Sequence, residues 1–392
     1  MADVAWDVPA AEWGSAPDGF VAACQAAPDH VVYFLLNVGD GDTQLILLPA
    51  DAAGARRGVI VDVATTRKLP ALLEALERVA VLPPPDTARV FPVVVATHPH
   101  ADHIGGIAEL LRRRGHQIDE LWDPGYYHPS GVFNETMVAL EEQPFIQRTQ
   151  PTSGMVRHLG GARLTVIAPG VGLRSRFDSY GVHINDASIA LRLDYPAARV
   201  AEVDSGEGRE RVYVRDPDPG ALLLGADAQT TSWAQATVDF PQLHGERNPE
   251  LTRELRLGMG ADPLRAQVFK VPHHASVRGL NLELVERIRP RLVLVSCSGG
   301  GRYRFPHHLA VESVREALQP TVVTGDDRPP DHRLGLHYTC ARLVEVDGAA
   351  QPLGSIALLL PPGRRRQLQL WRFGDAPDEL LDLERGRLAP AG

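Results

Sequence analysis

The chain has 392 residues, of which 44% are hydrophobic and 23% are charged, and its formal net charge is −9. This composition is ordinary for a globular protein with a large core, and the negative balance excludes a broadly basic surface for tight, non-specific binding of long nucleic acid. Three scattered cysteines, Cys24, Cys297 and Cys340, are too few for a disulfide framework and favour a reducing compartment.

The first residues contain no basic region followed by an apolar one, so we expect no secretory signal. No stretch reaches the ~18 apolar residues that a membrane span needs. We therefore expect a cytoplasmic protein without a membrane span, in which residues 1–30 form an N-terminal extension with no assigned role.

The first regular elements are predicted between residues 31 and 80. Apolar runs on either side of the turn 39–42 predict a β-hairpin. Residues 58–63 predict a strand with a carboxylate, Asp62, near its end, and residues 68–80 predict a helix with leucines on one face. Asp62 either supports a metal-ligating histidine or caps the following segment, and the sequence leaves this choice open.

Three histidines and an aspartate lie within six positions directly after a valine-rich run, and they are His98, His100, Asp102 and His103. The run is short and bounded by turns, which predicts a buried strand. The cluster then lies on the loop at the C-terminal end of that strand, where open α/β sheets bind their ligands. Imidazole and carboxylate groups are ligands of zinc and its neighbours, and one tight loop with four of them can serve two ions.

The pattern His98-x-His100-x-Asp102-His103 after a hydrophobic strand resembles the signature of the metallo-β-lactamase fold. Further segments resemble the metallohydrolase domain of the ComEC/Rec2 competence family, and they are residues 39–42, 185–188, 273–276 and 302–307. This resemblance implies an α/β protein with a four-layer αββα sandwich. The implied organisation is a hydrolase domain over residues 31–328, insertions at about 196–220 and 229–263, and a β-rich C-terminal extension over residues 329–392.

The resemblance also implies two divalent metal ions, for which the ligand types suit zinc, manganese or iron. Asp227, at the end of an apolar run, is implied as the carboxylate that bridges both ions. The implied first set is His98, His100 and Asp227, and the implied second set is Asp102, His103, Asp227 and His273.

Two positions in these sets are less well defined. The sequence favours His273 as the last ligand, which leaves His274 to contact substrate or to orient the site. Many hydrolases of this fold have a further histidine near residues 183–188, where this chain offers His183 without a clean match. One ion is therefore expected to have fewer protein ligands.

Other residues are implied to line the site or to support it, and they are Asp42, Asp62, Asn185, Ser188, His274, Ser276 and Arg302. Catalytic roles are implied for Asp102, for Tyr303 and for His307, the last two steadying a leaving group or a phosphate oxygen. Phe305 stands where the competence family has a further histidine, so that role is lost or moved.

The predicted function is a dinuclear metal-dependent hydrolase of the phosphodiesterase or nuclease type, in which hydroxide attacks the substrate. A hydrolase of small esters, lactones or β-lactams is the alternative, and it predicts an apolar pocket. Two other classes are a redox protein and a metal-free binding module. His100 argues against the redox branch, which usually has glutamate there, and the retained ligands argue against the binding module.

Overall fold

A computed structural model describes residues 7–9, 12, 18–176, 184–204, 208–216, 218–242, 262–301, 303–319, 329–344 and 350–389. Within these residues, two large β-sheets pack face to face, and helices cover the outer face of each sheet. This is the predicted four-layer αββα sandwich. The predicted β-rich C-terminal region is also present, although its domain boundary stays a prediction.

The first sheet has nine strands among the described residues. Its order is Arg387–Ala389, Gln369–Arg372, Ile356–Leu360, Val31–Leu35, Thr43–Leu47, Gly58–Val63, Phe91–Val95, Ile118–Trp122 and Gln147–Thr149. Val31–Leu35 and Thr43–Leu47 form the predicted hairpin. Ile356–Leu360 pairs antiparallel with Val31–Leu35, so the C-terminal strands extend this sheet.

The second sheet has seven strands in the described part of the chain. Its order is Leu336–Tyr338, Leu292–Val295, Val268–Lys270, Gly220–Leu224, Ala190–Tyr195, Ala162–Ala168 and Val156–Leu159. The first four of these strands run parallel to one another. The last two form the hairpin that the glycine turn at residues 160–161 predicts.

Alternation along the strands creates three apolar layers. In Phe91–Val95, the side chains of Val93 and Val95 pack between the two sheets, whereas Val94 packs under the helices. Each valine is almost fully buried, as expected for parallel strands covered on both faces. Burying such a side chain contributes roughly 1.5–3 kcal/mol, so the paired strands fix the positions of the loops that follow them.

The helices and 3₁₀ helices connect the strands and cover the sheets. The helices are Gly19–Ala26, Lys68–Arg78, Ala101–Ile104, Ile107–Arg114, Gly131–Glu141, Val171–Arg176, Thr230–Asp239, Leu282–Ile288, His308–Leu318 and Asp331–Leu334. The 3₁₀ helices are Gly115–Gln117, Ile184–Ala187, Pro272–Ala275 and Leu383–Arg385. No helix of the described residues has both the length and the apolar character needed to cross a membrane.

Two smaller β-structures complete the fold. Asp7–Pro9, Arg342–Val344 and Ala350–Pro352 form a three-stranded sheet. Ala198–Asp204 pairs with Arg209–Arg215 as a hairpin within the segment expected to be the first insertion. The sequence pattern of residues 251–257 indicates a helix and that of residues 322–323 a strand, and both segments lie outside the described residues.

One predicted strand begins later than the alternation of residues 185–193 indicates. Residues Ile184–Ala187 form a 3₁₀ helix, and the strand is Ala190–Tyr195. The difference has a local cause, because polar groups in this segment find partners outside a strand ladder. The N–H of Ser188 donates to the carbonyl of Asn185 at 3.0 Å, and Asp186 accepts from the N–H of Ser232 at 3.2 Å.

Candidate metal centre

The histidine and aspartate residues converge where parallel strands of both sheets end. Phe91–Val95 leads into the loop that carries His98 to His103, and Val268–Lys270 leads into Pro272–Ala275. The N–H of Ile189 donates to the carbonyl of Thr97 at 3.0 Å, which joins the two sheets at this rim. The C-terminal ends of parallel strands are the usual ligand-binding edge of an α/β sheet.

The turns at this rim contain non-glycine residues with left-handed backbone conformations. The φ angles are +58° at Asp62, +47° at Ala226, +48° at His273 and +53° at His274. Such residues cost of order 1–3 kcal/mol each and persist where the surrounding structure holds them. The N–H of His273 donates to the carbonyl of Ala226 at 2.8 Å, so two of these turns support each other.

Asp62 and Thr97 orient two buried histidines through one connected set of hydrogen bonds. Asp62 Oδ2 accepts from the Thr97 hydroxyl at 2.7 Å and lies 2.7 Å from Nδ1 of His103. Thr97 Oγ1 lies 3.2 Å from Nδ1 of His98. Since the threonine proton goes to Asp62, the threonine oxygen accepts from His98. Both histidines therefore form these bonds through the N–H of Nδ1 and direct Nε2 toward the centre.

His274 is oriented in the same way from the second sheet. Its Nδ1 lies 3.0 Å from the carbonyl oxygen of Ser296, which can only accept, so Nδ1 carries the proton. Nε2 of His274, Nε2 of His103 and Oδ1 of Asp227 are buried and have no hydrogen-bond partner among the described residues. Buried polar atoms are nearly always paired, so these three atoms indicate a ligand that binds between them.

The carboxylate of Asp227 lies between four histidines and divides them into two pairs. Its Oδ1 is 3.3 Å from Nε2 of His103 and 3.8 Å from Nε2 of His274. Its Oδ2 is 3.6 Å from Nε2 of His98 and 3.6 Å from Nε2 of His273. Each pair thus contains one histidine from each sheet.

His100 and Asp102 lie at the open side of this cluster. Nδ1 of His100 is 3.0 Å from Nε2 of His98. Oδ2 of Asp102 is 4.0 Å from Nε2 of His103 and 3.9 Å from Nε2 of His274. The side chain of Asp102 is 42% exposed, whereas those of His103 and Asp227 are buried, so ligands reach the cluster from this side.

The charges within the cluster shift its ionisation equilibria. Burial alone lowers the pKa of His103, but the carboxylates of Asp227 and Asp62 outweigh it and raise that pKa well above its usual range. Burial tends to raise the pKa of Asp227, and the opposing effect of His103 and His274 holds it well below its usual range. Burial is the main cause that lowers the pKa of His98, which favours the neutral form needed for a ligand.

A buried ion pair lies next to the cluster. The Lys270 ammonium bonds Oδ2 of Asp42, and both side chains are fully buried. Oδ1 of Asp42 lies 3.9 Å from Nδ1 of His274. Gly41 packs against the histidine loop, because a Cβ at this position would lie 2.7 Å from the carbonyl oxygen of Asp102. This glycine lets residues 41–42 approach the metal-binding loop closely.

Asn185, Ser188 and Ser276 take different places around the cluster. Nδ2 of Asn185 is 3.4 Å from the His273 ring nitrogens, and the buried hydroxyl of Ser188 has no hydrogen-bond partner. Ser276 instead closes the histidine turn, because its N–H donates to the carbonyl of His273 at 2.8 Å.

The residues after 300 approach the turn that carries His273 and His274. Phe305 packs against both rings, with centroid distances of 5.3 and 5.5 Å. Tyr303 stacks on Phe305 and is 62% exposed. Nδ1 of His307 accepts from the N–H of Leu309 at the start of His308–Leu318, so this side chain caps a helix. Arg302 and His183 lie outside the described residues.

Sequence analysis missed four residues that surround the cluster. Thr97 and Lys270 support the ligands as described above. The side-chain amide of Gln229 is 3.1 Å from Nδ1 of His273, and the His128 ring lies 5.8 Å from the His100 ring. Thr97 directly precedes His98 and Lys270 lies three residues before His273, which is a usable signal, whereas Gln229 and His128 have no local pattern.

The donor set fits divalent metal ions. Two ligands at about 2.1 Å from a tetrahedral ion lie about 3.4 Å apart, and the nitrogen and oxygen atoms around Asp227 are separated by similar distances of 3.3–3.8 Å. Three groups of residues bring ligand atoms close enough for an ion, namely His98 with His103 and Asp227, Asp102 with His103 and His274, and Asp42 with Asp62 and His103.

The fold and this centre define an αββα protein with a histidine–aspartate cluster at the rim of its two sheets, where ligand atoms lie close enough together to hold a metal ion. Residues 51–201 match the family model of the metallo-beta-lactamase superfamily. Its members are mostly metal-dependent hydrolases and typically bind two metal ions. This match is to the superfamily as a whole and does not show the resemblance to the ComEC/Rec2 domain. No curated protein matches the chain.

Solved structures resemble the chain at low identity. YhfI from Bacillus subtilis, a metallo-beta-lactamase fold protein, has 12% identity and a TM-score of 0.36 over 74% of this chain and 91% of that one. The long form RNase Z from yeast has 10% identity and a TM-score of 0.34 over 83% and 42%. CmlA, a diiron β-hydroxylase from Streptomyces venezuelae, has 13% identity and a TM-score of 0.30 over 77% and 48%. The chain thus spans about half the length of CmlA.

Proposed function

We propose that the protein is a hydrolase that uses two divalent metal ions and cleaves phosphodiesters. The observation that carries this proposal is the set of buried, unpartnered atoms on His103, His274 and Asp227, which face one another at the rim of both sheets. Zinc is the ion that this donor set suits best, with manganese or iron as alternatives.

The distances favour one division of the ligands over the one expected from sequence. His274, rather than His273, presents its Nε2 to Asp102 and to Oδ1 of Asp227. His273 and His98 instead both lie near Oδ2 of Asp227. His273 thereby takes the place of the further histidine ligand that was expected near residue 183 for the first ion. The proposed first set is His98, His100, His273 and Asp227, and the proposed second set is Asp102, His103, His274 and Asp227.

When bound by these residues, two divalent ions would supply hydroxide near neutral pH and would neutralise the negative charge that develops on the substrate. The protein residues hold and orient the groups around that reaction. Oxygen atoms of Asp62, Thr97 and Ser296 each accept a hydrogen bond from the Nδ1–H of one histidine, so that Nε2 faces inward. Asp102, half exposed at the entrance, is placed to accept a proton there.

The polar character of the open side supports a charged substrate. Asn185 and Gln229 place side-chain amides beside His273, and His128 lies beside His100. These groups can donate hydrogen bonds to phosphate oxygens, as a phosphodiester needs. The ComEC/Rec2 resemblance supports the same substrate class, whereas an ester or lactone hydrolase requires a more apolar pocket. We assign Tyr303 and His307 to the leaving-group side of this entrance.

The test is hydrolysis of bis(p-nitrophenyl) phosphate beside p-nitrophenyl acetate and a panel of lactones. Purified protein is assayed after removal of metal and after addition of Zn²⁺ or Mn²⁺, and bound metal is counted by mass spectrometry. His100→Ala and Asp227→Ala are the test variants. His116→Ala is the matched control. His116 is exposed, and the hydrogen bond of its side chain within the described residues is to the carbonyl of Pro85.

We expect metal-dependent cleavage of the phosphodiester, retained by His116→Ala and lost in both test variants. Single-stranded DNA and cyclic nucleotides then become the next substrates to examine. Turnover of esters or lactones without turnover of the phosphodiester moves the assignment to the alternative hydrolase class. A protein that binds no metal and cleaves none of these substrates contradicts the two-metal proposal itself.

A further inference from the structure

Two of the three cysteines lie side by side away from the metal ligands. Sγ of Cys297 and Sγ of Cys340 are 3.4 Å apart, although 43 residues separate them in sequence. They follow neighbouring parallel strands, Leu292–Val295 and Leu336–Tyr338. Cys297 is fully buried, and Cys340 is partly exposed. Cys24 belongs to the helix Gly19–Ala26 and is buried in a different apolar layer.

We propose that Cys297 and Cys340 are a covalent modification site that forms a reversible disulfide by reaction with a low-molecular-weight disulfide such as oxidised glutathione. A buried free cysteine is ordinarily a small apolar residue, and this explanation suffices for Cys24. It does not account for a second, partly exposed thiol in direct contact with the buried one. The reaction needs neither a metal ion nor hydrolase activity, so it stands apart from the proposed function.

The backbone around the two cysteines is held together by Thr339. The N–H of Cys297 donates to Oγ1 of Thr339 at 3.1 Å, and this hydroxyl donates to the carbonyl of Cys297 at 3.2 Å. The residue next to Cys340 thus fixes the backbone of Cys297 on both sides. The two sulfur atoms lie 3.4 Å apart, and a disulfide requires them to approach to about 2.05 Å.

Gly299 lets the loop after Cys297 pack onto Cys340. Its φ angle is +70°, and a Cβ there would lie 2.9 Å from Sγ of Cys340. Any larger residue at this position therefore displaces the Cys340 side chain from its partner. The loop after Cys297 therefore packs closely against Sγ of Cys340. An accidental contact between two apolar residues does not require such close packing.

The order of the two steps follows from exposure. The Cys340 thiolate attacks one sulfur of oxidised glutathione, one glutathione thiolate leaves, and a mixed disulfide forms on Cys340. Cys297 then gives up its proton and attacks the Cys340 sulfur, which releases the second glutathione. Two protein thiols are oxidised to one disulfide, and one glutathione disulfide is reduced to two thiols. Burial raises the pKa of the Cys297 thiol well above its usual range, which also makes it the second to react.

The experiment equilibrates the full chain in glutathione buffers of graded oxidised-to-reduced ratio, quenches with acid and alkylates every remaining thiol after denaturation. Peptide mass spectrometry then reports each cysteine separately. We expect Cys297 and Cys340 to lose alkylation together in one two-electron transition, as a linked peptide pair, while Cys24 stays fully alkylated. Cys24→Ser, the matched control, should give the same transition.

Three variants separate the steps. Cys340→Ser should leave Cys297 reduced at every ratio, and Cys297→Ser should stop at a stable glutathione adduct on Cys340. Gly299→Ala should shift formation of the disulfide to more oxidising buffers. Circular dichroism checks that each variant is folded. The proposal is overturned if both thiols of the folded parent protein remain free in excess oxidised glutathione, or if the parent accumulates an unresolved glutathione adduct.

Discussion

Nδ1 of His103 lies 2.7 Å from Oδ2 of Asp62, and neither side chain has any exposed surface. Asp62 is the penultimate residue of the strand Gly58–Val63 and has a left-handed conformation, and His103 belongs to the short helix Ala101–Ile104. The pair fixes which nitrogen of His103 faces Asp227. Carboxylates that hold a ligating histidine in this way orient the ring and raise its basicity.

Asp62→Asn should weaken metal binding without unfolding the protein. In the parent protein, the N–H of Thr97 donates to Oδ1 of Asp62 at 2.8 Å. When the side-chain oxygen of the asparagine accepts this bond, the side-chain NH₂ group faces Nδ1 of His103. Two donors then oppose each other, so the Nε2 lone pair is lost. We expect a loss of about 10–100-fold in affinity for one of the two ions, measured by competition with a chromogenic chelator.

Asp119→Asn is the control for this substitution, because Asp119 pairs with Arg57 on the same sheet at the surface. Its metal affinity should equal that of the parent protein. Thermal unfolding without metal should show a folded protein in both cases. Equal affinity of Asp62→Asn and parent protein for both ions would show that Asp62 merely caps its turn.

His273→Ala and His274→Ala should remove different ions. Nε2 of His274 lies near Oδ2 of Asp102, whereas His273 and His98 both lie near Oδ2 of Asp227. Each single variant should bind near one ion per chain when the metal concentration is limiting. Substitutions within one ligand set should be non-additive, because the second change acts on an ion that is already lost.

The decisive measurement is therefore a set of three double-mutant cycles on metal affinity. Asp102→Ala with His274→Ala and His100→Ala with His273→Ala should both be strongly non-additive. Asp102→Ala with His273→Ala crosses the two sets and should be closer to additive. The reverse pattern would restore the ligand division expected from sequence, with His273 beside Asp102.

The sequence predicts the parts of this centre that are local. The strand before His98 and the ligand types that follow it are visible within ten residues. The choice between His273 and His274 is not visible, because two adjacent residues are separated only by the left-handed backbone that points their rings apart. The bond between Lys270 and Asp42 joins residues 228 positions apart, so no local pattern reveals it. The pairing of Ile356–Leu360 with Val31–Leu35 is hidden for the same reason.

Lys270→Met should destabilise the protein by about 3–5 kcal/mol, because it leaves the carboxylate of Asp42 buried and unpaired. The free energy of unfolding is measured with urea in the absence of metal. Asp42→Asn combined with Lys270→Met removes both charges and should recover a large part of that loss. A double variant as unstable as Lys270→Met alone would mean that packing of the lysine chain, rather than its charge, stabilises this layer.

Acidification should destabilise the fold through His337, a buried histidine outside the metal ligands. Burial is the main cause that holds its pKa well below 6.5, and the nearby charges of Arg372 and His332 act in the same direction. Nε2 of His337 has no hydrogen-bond partner among the described residues, so the folded protein keeps the ring neutral. The unfolded chain takes up a proton as the pH falls below about 6.5, and the folded chain does not.

Above about pH 7, His337 should therefore not affect the free energy of unfolding. Below about pH 6.5, His337 should lower the free energy of unfolding by up to about 1.4 kcal/mol per pH unit. The loss ends only when the pH reaches the lower pKa of the folded protein. His337→Gln should reduce this slope by close to one proton, measured by urea unfolding between pH 7.5 and 5 without metal. His116→Gln, at an exposed site, should leave the slope unchanged. An equal slope for His337→Gln and the parent protein would show that His337 is protonated in the folded state as readily as in the unfolded chain.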